Sequence, residues 1–149
     1  MRLKEELNRP DALLQQLTHV WESSVRATHL FLPESDIIAI KKCIPRYLSA
    51  VPILITVSDN NKHIAFMGLQ ENNIEMLFID ANYRGKGIGK RLISYALNKY
   101  AADKVTVNKQ NQQAIGFYEK MGFAVFKETP VDEQGRPYPL LYMALQKKT

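Results

Sequence analysis

The sequence predicts an α+β fold within a single domain, residues 1–149. Three observations support this. Apolar residues recur at helical spacing over residues 11–48, short runs of β-branched and aromatic residues occupy 53–79, and strands then alternate with helices to the C-terminus. Helices followed by a block of strands are typical of α+β chains rather than of regularly alternating α/β chains.

Two helices are expected in the N-terminal third. The segment Arg2–Leu7 is either a short edge strand or an irregular lead-in, and Pro10 then opens a helix that ends before Pro33. Its apolar stripe comprises Leu13, Leu14, Leu17, Val20, Trp21 and Val25. A second helix is predicted from Ser35 or Asp36 to about Leu48, and Pro45 should kink or shorten it.

The rest of the chain predicts six strands and two helices. The strands are Ile53–Val57, His63–Gln70, Ile74–Ile79, Lys104–Val107, Phe123–Thr129 and Leu140–Gln146. One helix follows a glycine-rich loop and ends near Tyr100, and the other runs from Gln112 to Met121, with Asn111 as its cap. The first three of these strands should form an antiparallel meander.

Composition excludes several classes of protein. No apolar run approaches the roughly 18 residues that a membrane-spanning helix needs, and Met1–Pro10 is too charged for a signal peptide. A single cysteine, Cys43, excludes an intrachain disulfide, and we expect it to be a buried, small apolar residue. The three histidines lie at no metal-binding spacing. We therefore expect a cytoplasmic protein with no bound metal and no membrane partner.

The most distinctive segment is the basic, glycine-rich stretch Arg84–Arg91 between a predicted strand and a predicted helix. Alternate glycines (Gly85, Gly87, Gly89) allow close approach of a ligand to backbone N–H groups at a helix N-terminus, which favours an anion site. The helix dipole disfavours each nearby cation by a few tenths to about 1 kcal/mol, so the four basic residues there indicate a phosphate ligand. The alternative is a surface turn with solubilising lysines.

Two familiar phosphate-binding motifs do not fit this loop. A P-loop would need Gly and Ser or Thr where Arg84 and Arg91 stand, and a dinucleotide motif would need Gly where Lys90 or Leu92 stands. The pattern that does fit is R-x-x-G-x-G, from Arg84 to Gly89. With the later stretch Asn111–Phe123, of the form N-x-x-A-x-x-x-Y-x-x-x-G-F, it resembles the GNAT superfamily of acyl-CoA-dependent N-acyltransferases.

The resemblance covers roughly residues 51–146 and implies a GNAT-like mixed, mostly antiparallel sheet of about seven strands flanked by about four helices. It also implies acetyl-CoA as the acyl donor, held between the splayed strands Glu75–Ile79 and Lys104–Val107. The implied cofactor-binding residues are Leu77, Phe78, Ile79, Arg84, Gly85, Lys86, Gly87, Ile88, Gly89, Lys90 and Asn111.

Direct transfer of the acetyl group to a primary amine is the implied reaction. Tyr118 would protonate the leaving thiolate, and the alternative is a core aromatic residue on the helix stripe with Ala114 and Met121. Glu75 alternates with Leu77 and Ile79, so the three should share a face of the strand. Some GNAT enzymes use a glutamate on this strand as general base, and the alternative is a solvent-facing polar residue.

The acceptor is not determined by the sequence: it is an amine on a small molecule or a protein. By resemblance, His29, Phe31 and Tyr138 are candidates for the acceptor side. A homodimer is only a family-level expectation, and a non-catalytic acyl-CoA-binding module is the alternative function. The net charge of +5 resides largely in the glycine loop and in Lys147-Lys148 rather than in a stripe with aromatic residues, so we expect no nucleic-acid partner.

Overall fold

The computed structural model describes residues 1–146, and Lys147 and Lys148 lie outside this range. It has a seven-stranded sheet in the order β1-β2-β3-β4-β5-β7-β6, in which every neighbouring pair is antiparallel except β4 and β5. The strands are β1 Arg2–Glu5, β2 Ile53–Asp59, β3 Lys62–Gln70, β4 Asn73–Ile79, β5 Lys104–Asn108, β6 Phe123–Thr129 and β7 Leu140–Leu145. The predicted fold class is confirmed. Of the two alternatives for Arg2–Leu7, the structure shows the edge strand, β1.

Five helices flank the sheet where four were predicted: α1 Asp11–Thr28, α2 Glu34–Lys41, α3 Ile44–Ala50, α4 Ile88–Tyr100 and α5 Gln112–Lys120. The extra one arises because the predicted second helix is broken between Lys41 and Ile44. Pro45, in the first turn of α3, has no N–H to donate to the carbonyl of Lys41, so a continuous helix is interrupted there. Cys43 lies at this break and is half-exposed, so its predicted burial is wrong.

The sheet separates two hydrophobic cores. On one face, Leu92, Ile93 and Ala96 of α4 pack against the strands together with the buried residues of α5. On the other face, α1 and α3 cover the sheet, and Leu17, Leu48 and Trp21 pack around Phe66 of β3. The strand β3 is buried on both faces from Ile64 to Leu69, so it forms the rigid centre against which the site strand β4 is held.

The parallel pair β4 and β5 opens after only two residue pairs. Asn73 pairs with Lys104 and Ile74 with Val105, and no further pairing joins the two strands in residues 1–146. Beyond this point, one backbone edge of β4 has no neighbouring strand. The predicted splay of these strands is confirmed.

Candidate active site

A cavity of about 460 Å³ fills the space between the splayed ends of β4 and β5. Its size falls in the range of small-molecule sites, roughly 300–1,000 Å³. The first turn of α4, the inner side of α5 and the C-terminal end of α1 complete its walls. The predicted residues that line it are His29, Glu75, Leu77, Phe78, Ile79, Arg84, Gly85, Gly87, Ile88, Gly89, Lys90, Asn111 and Tyr118.

The strand that forms one wall has a β-bulge at Glu75. Ile74 pairs with Leu69 and Met76 with Gly68, so Glu75 is an extra residue without a partner on β3. The bulge breaks the regular alternation. Ile74 packs into the same core as Leu77 and Ile79, which lie three and five residues further on. Glu75, Leu77 and Ile79 all line the large cavity.

The glycine loop approaches the cavity by its backbone. Gly85 and Gly87 adopt φ angles of 75° and 79°, the left-handed region that residues with a side chain rarely adopt. Gly87 is also the N-cap of α4 and offers no side-chain acceptor to the first N–H groups of that helix. Those N–H groups lie at the end of the helix that borders the cavity, where a bound anion can accept their hydrogen bonds.

The charged residues of this loop are not all equivalent. Arg84 and Lys90 line the cavity, and the Arg84 guanidinium donates to the side-chain oxygen of Gln113 on α5. Lys86 does not line the cavity. Its ammonium lies 5.3 Å from the centre of the Tyr83 ring. The first turn of α4 contains no acidic residue, so its positive end is uncompensated by the chain itself.

Tyr118 lies on the inner side of α5 at the floor of the cavity. Only 5% of its surface is exposed, and its ring packs edge-on against Phe117 and Phe123 at centroid distances of 5.3 and 5.7 Å. Burial raises the pKa of Tyr118 above its ordinary value. The phenol therefore stays protonated at neutral pH and is available as a hydrogen-bond or proton donor. Both interpretations suggested by the sequence, core aromatic and site residue, describe its position.

Glu75 lines this cavity and also a smaller one of about 190 Å³ on its far side. Thr106 is the other residue shared by the two, and Asp132 and Glu133, from the loop between β6 and β7, line the smaller cavity as well. Burial raises the pKa of Glu75 despite a hydrogen bond from Asn73, and the charge of Glu133 raises it further. Such a carboxylate is a better proton acceptor near neutral pH than an exposed one.

The remaining candidates form a row of rings beside the cavity. His29 lines the cavity and lies 5.3 Å from Phe31, whose ring lies 6.1 Å from Tyr138. Phe31 and Tyr138 do not line either cavity. Tyr138 is buried, and its hydroxyl donates to Asp36 on α2; burial and this hydrogen bond raise the pKa of Tyr138 to about 12.

Several lining residues were not predicted. Thr106 and Asn108 of β5, Phe117 and Gln113 of α5, and Ser24 and Thr28 of α1 all contribute to the cavity wall. Thr106 and Asn108 alternate with the buried Val105 and Val107. The sequence could therefore have indicated that these two polar side chains share one face of the strand. The residues of α1 gave no such signal, because Ser and Thr near a helix C-terminus are usually structural.

Two features do not occur in residues 1–146. No helix there is long and apolar enough to cross a bilayer. No group of three or more His, Cys, Asp or Glu residues there is placed to hold a metal ion.

Comparison with known proteins adds independent information. A family model described as an acetyltransferase (GNAT) domain matches residues 48–142. The chain is 40% identical over 127 residues to the peptidyl-lysine N-acetyltransferase YjaB of Salmonella typhimurium strain LT2, and the match covers 85% of this chain and 88% of that protein.

Solved structures agree with the sequence matches. The solution structure of apo-form YjaB from Escherichia coli superposes with a TM-score of 0.85 at 35% identity and covers 97% of each chain. The crystal structure of the PaiA N-acetyltransferase from Thermoplasma acidophilum in complex with coenzyme A has a TM-score of 0.65 at 21% identity, covering 95% of this chain and 98% of that one. The second likeness concerns the fold alone.

Proposed function

The chain belongs to the GNAT family of acetyltransferases and is an N-acetyltransferase, and we propose that it transfers the acetyl group of acetyl-CoA to a lysine side chain of a protein. The observation that supports this most directly is the cavity between β4 and β5. The N-terminus of α4, with Gly87 as its cap, and the side chain of Tyr118 both line this cavity. A phosphate site and a proton donor in one cavity are what a phosphorylated thioester donor requires.

The donor fits the residues present. The pyrophosphate would accept hydrogen bonds from the loop amides between Gly85 and Lys90, where the uncompensated dipole of α4 favours an anion. The pantetheine arm would pair with the free backbone edge of β4 at Leu77, Phe78 and Ile79, which the splay leaves without a strand neighbour. A protein of the same fold, the PaiA N-acetyltransferase, was solved in complex with coenzyme A, which is consistent with a ligand of this kind.

The acceptor is proposed from the smaller cavity and from the relatives. Glu75, Asp132 and Glu133 all face that space, and a lysine ammonium would be attracted to it. The charge of Asp132 is partly offset by the Arg136 guanidinium, 3.9 Å from its carboxylate, which also accepts from the backbone N–H groups of Gln134 and Arg136. The two glutamates therefore contribute most of the attraction for a cation. The related YjaB is named as a peptidyl-lysine N-acetyltransferase.

The chemistry assigns one task to each group. Acetyl-CoA supplies an activated thioester carbonyl when bound. Glu75, directly or through water, accepts a proton from the acceptor ammonium and frees its lone pair to form the new N–C bond. The backbone N–H of Leu77 would stabilise charge on the carbonyl oxygen, and Tyr118 would donate a proton to the sulfur as the C–S bond breaks. The second proton of the attacking nitrogen would then pass through water to the Tyr118 oxygen and restore the phenol.

Donor binding is tested by calorimetric titration of acetyl-CoA. Gly87→Glu places a carboxylate at the proposed pyrophosphate site and should abolish binding. Gly135→Glu is the matched control, because both glycines have nearly the same φ (79° and 78°) and open space around them. Equal loss in both variants would indicate general damage, and binding retained in Gly87→Glu would contradict the proposed site.

The acceptor is tested by thiol release with two peptides. One has a free lysine and a blocked N-terminus, and the other a free N-terminus with its lysine blocked. Acetylation of only the first supports lysine transfer, and acetylation of only the second contradicts it. Binding of acetyl-CoA without thiol release on any peptide or small amine would instead favour a non-catalytic acyl-CoA-binding module.

A further inference from the structure

A chain of hydrogen bonds joins α5 to α1 through the ring of His29. On the α5 side, the Asn111 side-chain oxygen accepts from the backbone N–H of Ala114 at 3.2 Å and so caps the helix. This contact fixes the orientation of the amide group. The Asn111 nitrogen is therefore the atom that lies 3.4 Å from His29 Nε2, and because that nitrogen can only donate, Nε2 must accept.

The α1 side gives the same assignment independently. The hydroxyl of Thr28 donates to the carbonyl of Ser24 at 2.7 Å, which uses its only proton. The same hydroxyl lies 2.8 Å from His29 Nδ1 and must accept there, so Nδ1 bears the ring proton. Two separate contacts thus define one neutral tautomer. Burial, which lowers the pKa of His29 to about 4, is consistent with a neutral ring.

The position of this ring relates it to the reaction. The ring of His29 lies near those of Phe31 and Phe78, at centroid distances of 5.3 and 6.4 Å and tilted by 45° and 36°, so aromatic contacts add to its hydrogen bonds. His29 and Asn111 both line the large cavity. Asn111 also begins the helix that presents Tyr118 two turns later.

We propose that His29 is a positioning residue: it holds the Asn111 amide toward the acyl-donor cavity and fixes the start of α5 against α1. This inference rests on the proposed donor. It differs from the acceptor contact that the sequence suggested for His29. It also assigns the ring no part as general base, because the Nε2 lone pair is already occupied by the Asn111 amide.

The tautomer is tested first, on the unliganded protein. Nitrogen-15 chemical shifts and long-range ring couplings should show Nδ1 protonated and Nε2 unprotonated across neutral pH. A ring protonated at Nε2 would overturn the proposal. This measurement needs neither acetyl-CoA nor an acceptor, so it remains decisive if the proposed reaction is wrong.

Three variants then test the consequence by acetyl-CoA titration. His29→Phe keeps an aromatic ring at this position and removes the hydrogen bonds to Thr28 and Asn111. We expect an acetyl-CoA Kd about fivefold higher, which corresponds to the loss of one ordinary hydrogen bond, the one to Asn111. His29→Gln places an acceptor near the position of Nε2 and should restore most of the affinity. Asn111→Ser keeps a side-chain oxygen for the helix cap but is too short to donate to Nε2, so adding His29→Phe to it should change the Kd no further.

The contrary results are equally specific. An unchanged acetyl-CoA Kd with a raised acceptor KM in His29→Phe would assign the ring to the acceptor and overturn the proposal. Additive effects of His29→Phe and Asn111→Ser would show that the two side chains act separately, which would also overturn the proposal. If His29→Phe fails to fold, the ring tautomer and the His29→Gln variant still decide. If the wild type binds no acetyl-CoA, the proposed function fails, and the tautomer measurement alone decides the His29–Asn111 contact.

Discussion

Gly89, in the first turn of α4, faces the ring of Phe117 on α5 so closely that a β-carbon added to it would lie 3.2 Å from Phe117 Cζ and 3.4 Å from Ile79 Cδ1. Phe117 and Ile79 both line the large cavity. The absent side chain therefore allows the two helices and β4 to converge at the proposed donor site. The third glycine of the loop has a packing role, whereas Gly85 and Gly87 are required by their backbone conformation.

The variant Gly89→Ala should weaken acetyl-CoA binding more than it lowers stability. The new methyl group pushes the Phe117 ring into the cavity, while the gain in helix propensity, up to about 1 kcal/mol, offsets part of the strain. We expect a Kd several-fold higher with a thermal midpoint within a few degrees of wild type. Gly116→Ala, in α5 with no atom near its β-position, is the control and should be stabilising with unchanged binding. Equal affinity in both variants would refute this role for Gly89.

The variant Tyr118→Phe should separate binding from chemistry. Its ring keeps the contacts with Phe117 and Phe123, so we expect the acetyl-CoA Kd to stay within about twofold of wild type. Loss of the proton donor should lower kcat by about 10²–10⁴. Tyr142→Phe removes a hydroxyl from β7, a strand that does not line the large cavity, and should leave kcat unchanged. Comparable rates in wild type and Tyr118→Phe would assign this phenol to the core alone.

The pH dependence of kcat/KM should report on Glu75. A general base works only when ionised, so the rate should fall as the pH drops through the pKa of Glu75, which burial raises. Glu75→Gln should lower the rate and remove this acidic limb. Glu133→Gln takes away a nearby negative charge that raises the pKa of Glu75, so the limb should move to lower pH. An acidic limb that persists in Glu75→Gln would exclude Glu75 as the base.

Local sequence signals predicted residues of the glycine loop and of α5 that line the large cavity. The loop glycines and the Asn111 cap are determined by backbone conformation within a few residues, and these positions are where the structure requires them. The bulge at Glu75 depends on a contact across the sheet. A side chain at Gly68 of β3 would come within 2.7 Å of Met76 Cε and 3.1 Å of Val51, and nothing near Glu75 in sequence indicates this crowding.

The positions of Phe31 and Tyr138, the proposed acceptor-side residues, were less predictable because they too depend on contacts between distant segments of the chain. Phe31 and Tyr138 stand more than a hundred residues apart and meet only because the loop before β7 folds over α2, where Tyr138 donates to Asp36. Glu75 of β4 and Thr106 of β5 line both cavities, an arrangement that depends on the splay of the two strands. Motifs identified residues that line the large cavity, whereas the contact between Phe31 and Tyr138 follows from tertiary packing.

Edge strand β1 is fastened to α4 through Glu5. Its carboxylate accepts hydrogen bonds from Tyr95, Lys99 and Tyr100. Burial raises the pKa of Glu5, but the three hydrogen bonds and the charge of Lys99 outweigh it and lower the pKa from 4.5 to about 2. A lowered pKa in the folded state means that the stabilisation is present above pH 4.5 and is lost as the pH falls toward 2.

The variant Glu5→Gln should therefore be less stable than wild type at pH 7 and equally stable near pH 2. Because the cluster is partly exposed to solvent, we expect a difference of about 1 kcal/mol in the free energy of unfolding at neutral pH. Urea denaturation at several pH values measures it. Glu119→Gln, which removes an exposed carboxylate from α5, should show a much smaller difference throughout. If Glu5→Gln matched wild type at pH 7, the fastening of β1 would have to come from strand pairing with β2 alone.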